Sequence, residues 1–254
     1  MFDGRSNYNA LQVRVQKRMS HGISFMANYS WSKILDTGTS NGHNESIDVW
    51  QNAYNPTANY GISQLDVPQS LNGYATWELP FGQGRRFALH GAADEALGGW
   101  RITGLFQAHS GIAFTPVVGT SDESNSQASQ CYCGFSWLPN LIPGVNPKES
   151  HPTISSWFNT AAFAVPANNT LGNEARNILR GPDWRDVDFS LGKTFWLGQW
   201  FGDQTHLEIR ADAFNGLNHP NFSQPNAGIG AGGAGTITSA NGARQIQLGG
   251  RFTF

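Results

Sequence analysis

Three groups of residues in this chain have types and spacing that could do chemistry. Cys131-Tyr132-Cys133 sets two thiols one residue apart. Such a pair could hold a soft metal, but a closed site needs more ligands, and neither a second cysteine pair nor a dense histidine cluster accompanies it. Outside the inner membrane, a strained local disulfide or two oxidisable thiols is the expected state. Gly228-x-Gly230-x-x-Gly233 has the form of a dinucleotide fingerprint. That motif works only between a strand and a helix. Here it lies in a Gly/Ala run without helical periodicity, so a flexible loop is expected. The third group is charged: Asp186 and Asp188, then Glu208, Arg210 and Asp212, with Arg251 near the end of the chain. A spacing of two places each subset on one face of a strand. They are candidates for lining a polar passage or docking an internal domain, with a structural salt-bridge ladder as the plainer alternative.

Other chemistry is missing. No nucleophile elbow, zinc-protease helix or phosphate loop occurs. His21, His43, His90, His109, His151, His206 and His219 are scattered. No catalytic residue, cofactor or metal is therefore expected, and the chain does not read as an enzyme.

Composition narrows the class further. Charged residues make up 13% of the 254 and the formal charge is −2, against a usual charged share of about 25%. That balance offers no basic patch for nucleic acid. Thirty Gly, nine Trp and sixteen Phe describe a turn-rich, aromatic-rich β protein. No run of about 18 apolar residues is present, so no helix is expected to cross a membrane. A β-barrel escapes that test, because only alternate residues of each strand face lipid.

Period-two alternation supplies the elements that must position these residues. Seven strands are predicted. The first runs from Asn9 to about Arg18 with Leu11, Val13 and Val15 on one face, and turns at Ser20-His21-Gly22. The second carries Ile23, Phe25, Ala27, Tyr29 and Trp31; the third Leu71, Gly73, Ala75, Trp77 and Leu79; the fourth Trp100, Ile102, Gly104, Phe106 and Ala108. Val187, Phe189 and Leu191 mark the fifth, Leu207, Ile209, Ala211 and Ala213 the sixth. The last is Arg244–Phe254, with Ile246, Leu248, Gly250, Phe252 and a terminal Phe254 in register. The apolar sets hold no charge. Lys17, Lys33, Lys193 and Arg244 share their parity only near strand ends, where long side chains can reach headgroups. A mid-bilayer Arg or Lys on the lipid face costs about 2–4 kcal/mol.

Connector lengths alternate, and three long loops, about 33–66, 115–182 and 218–242, fall on one side. Outer-membrane barrels have this asymmetry, with long external loops. Two aromatic girdles are expected: Trp77, Trp100, Phe195, Trp196, Phe252 and Phe254 at the inner ends, Tyr29, Trp31, Phe114 and Trp184 at the outer. Trp50, Tyr54, Trp137 and Trp157 in the loops could hold an external ligand by stacking, or simply pack. Phe252 and Phe254 are candidates for a barrel-assembly terminus. The fold expected is all-β, an antiparallel transmembrane sheet in the outer membrane. A soluble sandwich explains the alternation but neither the one-sided loops nor the terminal Phe.

Several stretches resemble the C-terminal barrel of TonB-dependent outer-membrane transporters of the Oar-like group. They are Leu79-Pro80-Phe81-Gly82, Gly98-Gly99-Trp100-Arg101-Ile102-Thr103-Gly104, Ser110–Thr115, Trp157–Phe163, Gly172-Asn173, Leu179-Arg180-Gly181-Pro182, Phe214–Phe222 and Arg251–Phe254. The resemblance implies a large barrel, an internal plug, and uptake of an external ligand driven by the TonB energy-coupling complex. It also implies contact with outer-membrane lipid and with the barrel-assembly machinery. Seven strands, no plug and no leader at Met1–Arg5 imply that residues 1–254 are the C-terminal part of a longer protein. The alternatives are a surface or adhesion barrel that binds without transporting, and a soluble carbohydrate-binding sandwich.

Overall fold

The computed structural model of the chain describes residues 4–38, 55–82, 84–119, 137–168, 170–198 and 205–254. Seven long strands dominate it: β1 (Ser6–Ser20), β2 (Ile23–Asp36), β3 (Gln69–Glu78), β4 (Trp100–His109), β5 (Trp184–Trp196), β6 (His206–Phe214) and β7 (Gln245–Thr253). Each pairs antiparallel with the next, in chain order. The sheet is therefore an open meander whose edges are β1 and β7.

Register puts the alternation on one surface. Across the sheet, Phe25 faces Ala75, Ala75 faces Gly104, Gly104 faces Phe189, Phe189 faces Ala213, and Ala213 faces Ile246. A one-residue slip anywhere would flip a strand's oily set to the other side. The hairpin between β1 and β2 pins the start. His21 and Gly22 both have positive φ (53° and 77°), the two-residue turn whose twist suits a hairpin. It closes the pair Ser20↔Ile23, after a bulge between Lys17 and Ser20.

The three short or medium connectors, 21–22, 79–99 and 197–205, lie at one end of the sheet, the turn end. The second of them contains a short α-helix, Ala92–Leu97. The three long connectors lie at the opposite, loop end. The described parts of the second and third are more ordered than their polar composition predicts. Ala113–Phe114 pairs with Leu179–Arg180, Asn140–Leu141 with Phe163–Ala164, Lys148–Thr153 with Ser156–Phe158, and Asn221–Phe222 with Ala240–Asn241. Val117–Val118 runs parallel to Gly228–Ile229, which ties the second long connector to the third.

The buried apolar side chains sit here and not on the sheet. Ala113, Phe114, Val118, Phe158, Ala162, Phe163, Leu179, Ile229 and Ile237 all lie outside the seven long strands. On the sheet's oily face Ile246 and Leu248 are 70% and 77% exposed. A sandwich would need a second sheet over that face, and the described residues supply none.

Three expectations need correcting. Phe114 belongs to the loop core, packed edge-on against Phe158 at 5.7 Å, so it is no girdle residue. Trp184 and Trp196 carry the polar parity, because Val187 and Phe195 mark the oily one; Trp184 stacks on His109 (6.3 Å) and Trp196 meets the His206 ring at a tilt (5.1 Å). Arg185 is a further charge of oily parity, paired with Asp183 at 2.6 Å at the loop end of β5.

Candidate functional site

The polar face of the sheet is organised in rows, because facing residues on successive strands share a level. Nearest the turn end, Glu78 opposes Arg101 at 3.6 Å and also holds Arg85 at 2.9 Å. The next row is hydroxylic: Ser24, Thr76, Thr103 and Ser190, with Thr76 and Thr103 hydrogen-bonded at 3.3 Å. Above it lie Met26, Tyr74, Leu105 and Asp188, then Asn28, Asn72, Gln107 and Asp186. Asn28 donates to Asn72 at 3.2 Å.

The six charged candidates share this face but do not form one cluster. On β5, Asp186 and Asp188 oppose Gln107 and Leu105 of β4. On β6, Glu208, Arg210 and Asp212 oppose Thr194, Gly192 and Ser190. Arg210 pairs along its own strand with Asp212 at 2.9 Å, and Glu208 stands opposite Arg251. Asp188 accepts the Asn215 N–H at 2.8 Å, which makes it an anchor for the corner leaving β6. Asp186 differs, since its Oδ1 is buried and has no hydrogen-bond partner.

That corner explains one recurrent stretch, Phe214–Phe222. Asn215 and Asn218 take the left-handed conformation (φ 45° and 53°), which short amide side chains tolerate. The Asn215 amide donates to the carbonyls of His219 and Gly242 (3.0 and 2.6 Å) and accepts from the His219 N–H (2.9 Å). Gly216 lies so close to β5 that a Cβ would sit 2.5 Å from the Phe189 ring. Asn221 then clamps both backbone groups of Arg185, at 2.9 Å each.

At the loop end, the buried Arg176 and the partly exposed Arg180 fasten the second long connector to the first. Arg176 pairs with the Asp36 carboxylate, and donates to the Asp36 carbonyl (2.6 Å) and the Asn59 carbonyl (2.7 Å). Arg180 pairs with the Asp66 carboxylate while reaching the carbonyls of Asp66 (3.0 Å) and Gly111 (3.1 Å). Asp66 also accepts the Ile34 N–H at 2.6 Å. Between the arginines, Asn177 bonds Thr115 and the Ile62 carbonyl. Buried charges need such complete pairing, because desolvation alone is unfavourable. Glu174, two residues before Arg176, is buried with neither oxygen bonded. Burial pushes its carboxyl up to about 9, so at neutral pH it is a neutral acid.

The predicted loop aromatics divide. The Trp157 indole donates to the Arg180 carbonyl at 2.8 Å and packs on the loop core, so the plainer reading of packing fits it. The Trp137 indole N–H is buried without a partner. Trp50 and Tyr54 lie outside the described residues, as do Cys131 and Cys133. Phe252 lies half-exposed on the oily face, and the exposed Phe254 ring stands 6.1 Å from it. The Gly228–Gly233 stretch has no helix after its strand, but Gly228 and Ile229 are buried, so part of it is packed rather than free. Sequence reasoning missed Asp36, Asp66, Glu174, Arg176 and Arg180. For Arg180 a signal existed, the Leu-Arg-Gly-Pro stretch, but not its partner.

An antiparallel sheet with one continuous oily face, one polar face and all long connectors at a single end is the wall of a membrane β-barrel. Comparison with known families agrees: residues 1–247 match the family described as outer membrane beta barrel domain. The chain belongs to that family, and its place is the outer membrane. No curated protein and no solved structure matches it.

Proposed function

We propose that this chain is part of the wall and external loops of a TonB-dependent transporter of the Oar-like kind, which takes up a ligand from outside the cell. The observation that carries the reading is the open sheet. β1 and β7 present long edges that no other described strand pairs, and hydrocarbon leaves no unpaired backbone satisfied. Further strands must close such a wall, which makes the barrel larger than seven strands, and a large barrel has room for an internal plug. The ordered loop assembly over the same end supports capture of a ligand there. The plug would carry the contact to the TonB energy-coupling complex, and the barrel-assembly machinery would insert the wall.

The experiment compares two deletions in the source bacterium: this gene, and the inner-membrane energy-coupling complex. Both strains should lose growth on the same nutrient when it is scarce. Growth of the first on every nutrient that the second cannot use would overturn transport and leave a binding or adhesion barrel.

A further inference from the structure

We propose that the polar face between β2 and β5 is a subsite for a neutral saccharide. The proposal rests on the transport reading and names its substrate class. Four side chains at one level, Asn28, Asn72, Gln107 and Asp186, span three interstrand gaps, about 14 Å. Amides both donate and accept hydrogen bonds, as sugar hydroxyls do, so an amide row can meet hydroxyls in either sense. At the acid end, the buried Asp186 Oδ1 has no partner. A buried acceptor left empty is costly, and a hydroxyl donor from a bound ligand would satisfy it.

One level nearer the turn end, Met26, Tyr74 and Leu105 form an apolar strip, and with Asn72, Gln107, Asp186 and Asp188 they line a pocket of about 330 Å³. A pyranose has hydroxyls on its rim and C–H groups on its face. Its rim would meet the amides while its face lay on Tyr74 and Leu105, the mixture of apolar contact and few placed polar groups that ligand sites use.

Charge argues for a neutral ligand. The acidic groups lining the pocket are Asp186 and Asp188, and no basic side chain lines it, which argues against an anion. Asp188 already accepts the Asn215 N–H. Arg14, which opposes Asn28 on β1, closes the far end of the row with the opposite sign to Asp186.

The test is saturation-transfer difference NMR on the protein purified from outer membranes in detergent, with cellotriose, maltotriose and xylotriose as probes. At least one neutral trisaccharide should receive saturation. Asp186→Leu and Gln107→Leu should each weaken its binding at least tenfold, while Asp186→Asn, which keeps a polar partner, should stay within threefold. Circular dichroism melting establishes that each variant is folded. No transfer to any of the three sugars overturns the proposal, as does unchanged binding in folded Asp186→Leu. Tighter binding of a galacturonate or glucosamine trimer overturns it too. If crosslinking instead places a plug segment permanently on Gln107, the row is a docking site and the proposal also falls. Each of these failures leaves the transport reading standing, because the two deletion strains test that reading without reference to sugar.

Discussion

The sheet and the loop assembly solve opposite problems with the same residue types. Leu248 on the sheet is 77% exposed, while Phe158 in the loops is 1% exposed. On the sheet, polar groups turn inward and apolar ones outward, the reverse of a water-soluble design. In the loops the ordinary rule returns, with an aromatic core and charges paired or placed at the surface. The difference teaches what each region has for a solvent. The sheet's oily face needs lipid to be covered, whereas the loop assembly covers its own apolar surface and stands in water.

Loss of one ring should separate the two most sharply. Phe158→Ala removes a fully buried aromatic, a change that costs about 3–5 kcal/mol in a close-packed core. Proteolysis of 138–181 in intact cells should accelerate strongly, while sheet content by circular dichroism stays unchanged. Simultaneous loss of the sheet would erase the distinction between the regions.

A smaller effect discriminates the two faces of one strand. Leu248→Arg should destabilise the protein by about 2–4 kcal/mol in a bilayer, and Gln247→Arg by much less, because only the first places a charge in lipid. Chemical denaturation in liposomes measures both. Equal effects would contradict the assigned faces.

Smallest over any single pH unit is the dependence set by Glu174. Its folded value near 9 lies above the ordinary 4.5. The folded loops thus hold a proton that the unfolded chain releases. The stabilising contribution is full below about 4.5 and is lost as pH rises toward about 9, at no more than about 1.4 kcal/mol per pH unit. The loops should resist protease better at pH 6 than at pH 8, and Glu174→Gln should flatten that trend. A trend of the opposite sign would contradict the buried neutral acid.

The contrast between the regions also decides what could be read without coordinates. The strands were legible because period two is local: Leu207, Ile209 and Ala211 announce their face by themselves. Register was legible only in parity, because a one-residue slip flips a strand's oily set whereas a two-residue slip does not. The one-sided loops followed from counting connectors. The loop core was not legible, because its rings come from separated segments with no period, Phe114, Phe158 and Ile229 among them. Arg176 and Asp36 are 140 positions apart, and nothing near either residue names the other. Trp184 and Trp196 are not girdle residues although they stand at strand ends, because their parity, which the sequence already shows, is the polar one. The charged candidates share the polar parity, yet grouping them by strand hides the rows that run across β2 to β5.

The central claim is that the two faces of this sheet meet different solvents. Nitroxide labels at Leu248 and Gln247, each introduced as cysteine with Cys131→Ser and Cys133→Ser, test it by electron paramagnetic resonance in liposomes. At Leu248, collision with oxygen should exceed collision with a water-soluble nickel chelate, as lipid exposure requires, and at Gln247 the order should reverse. The same order at both positions would contradict the account.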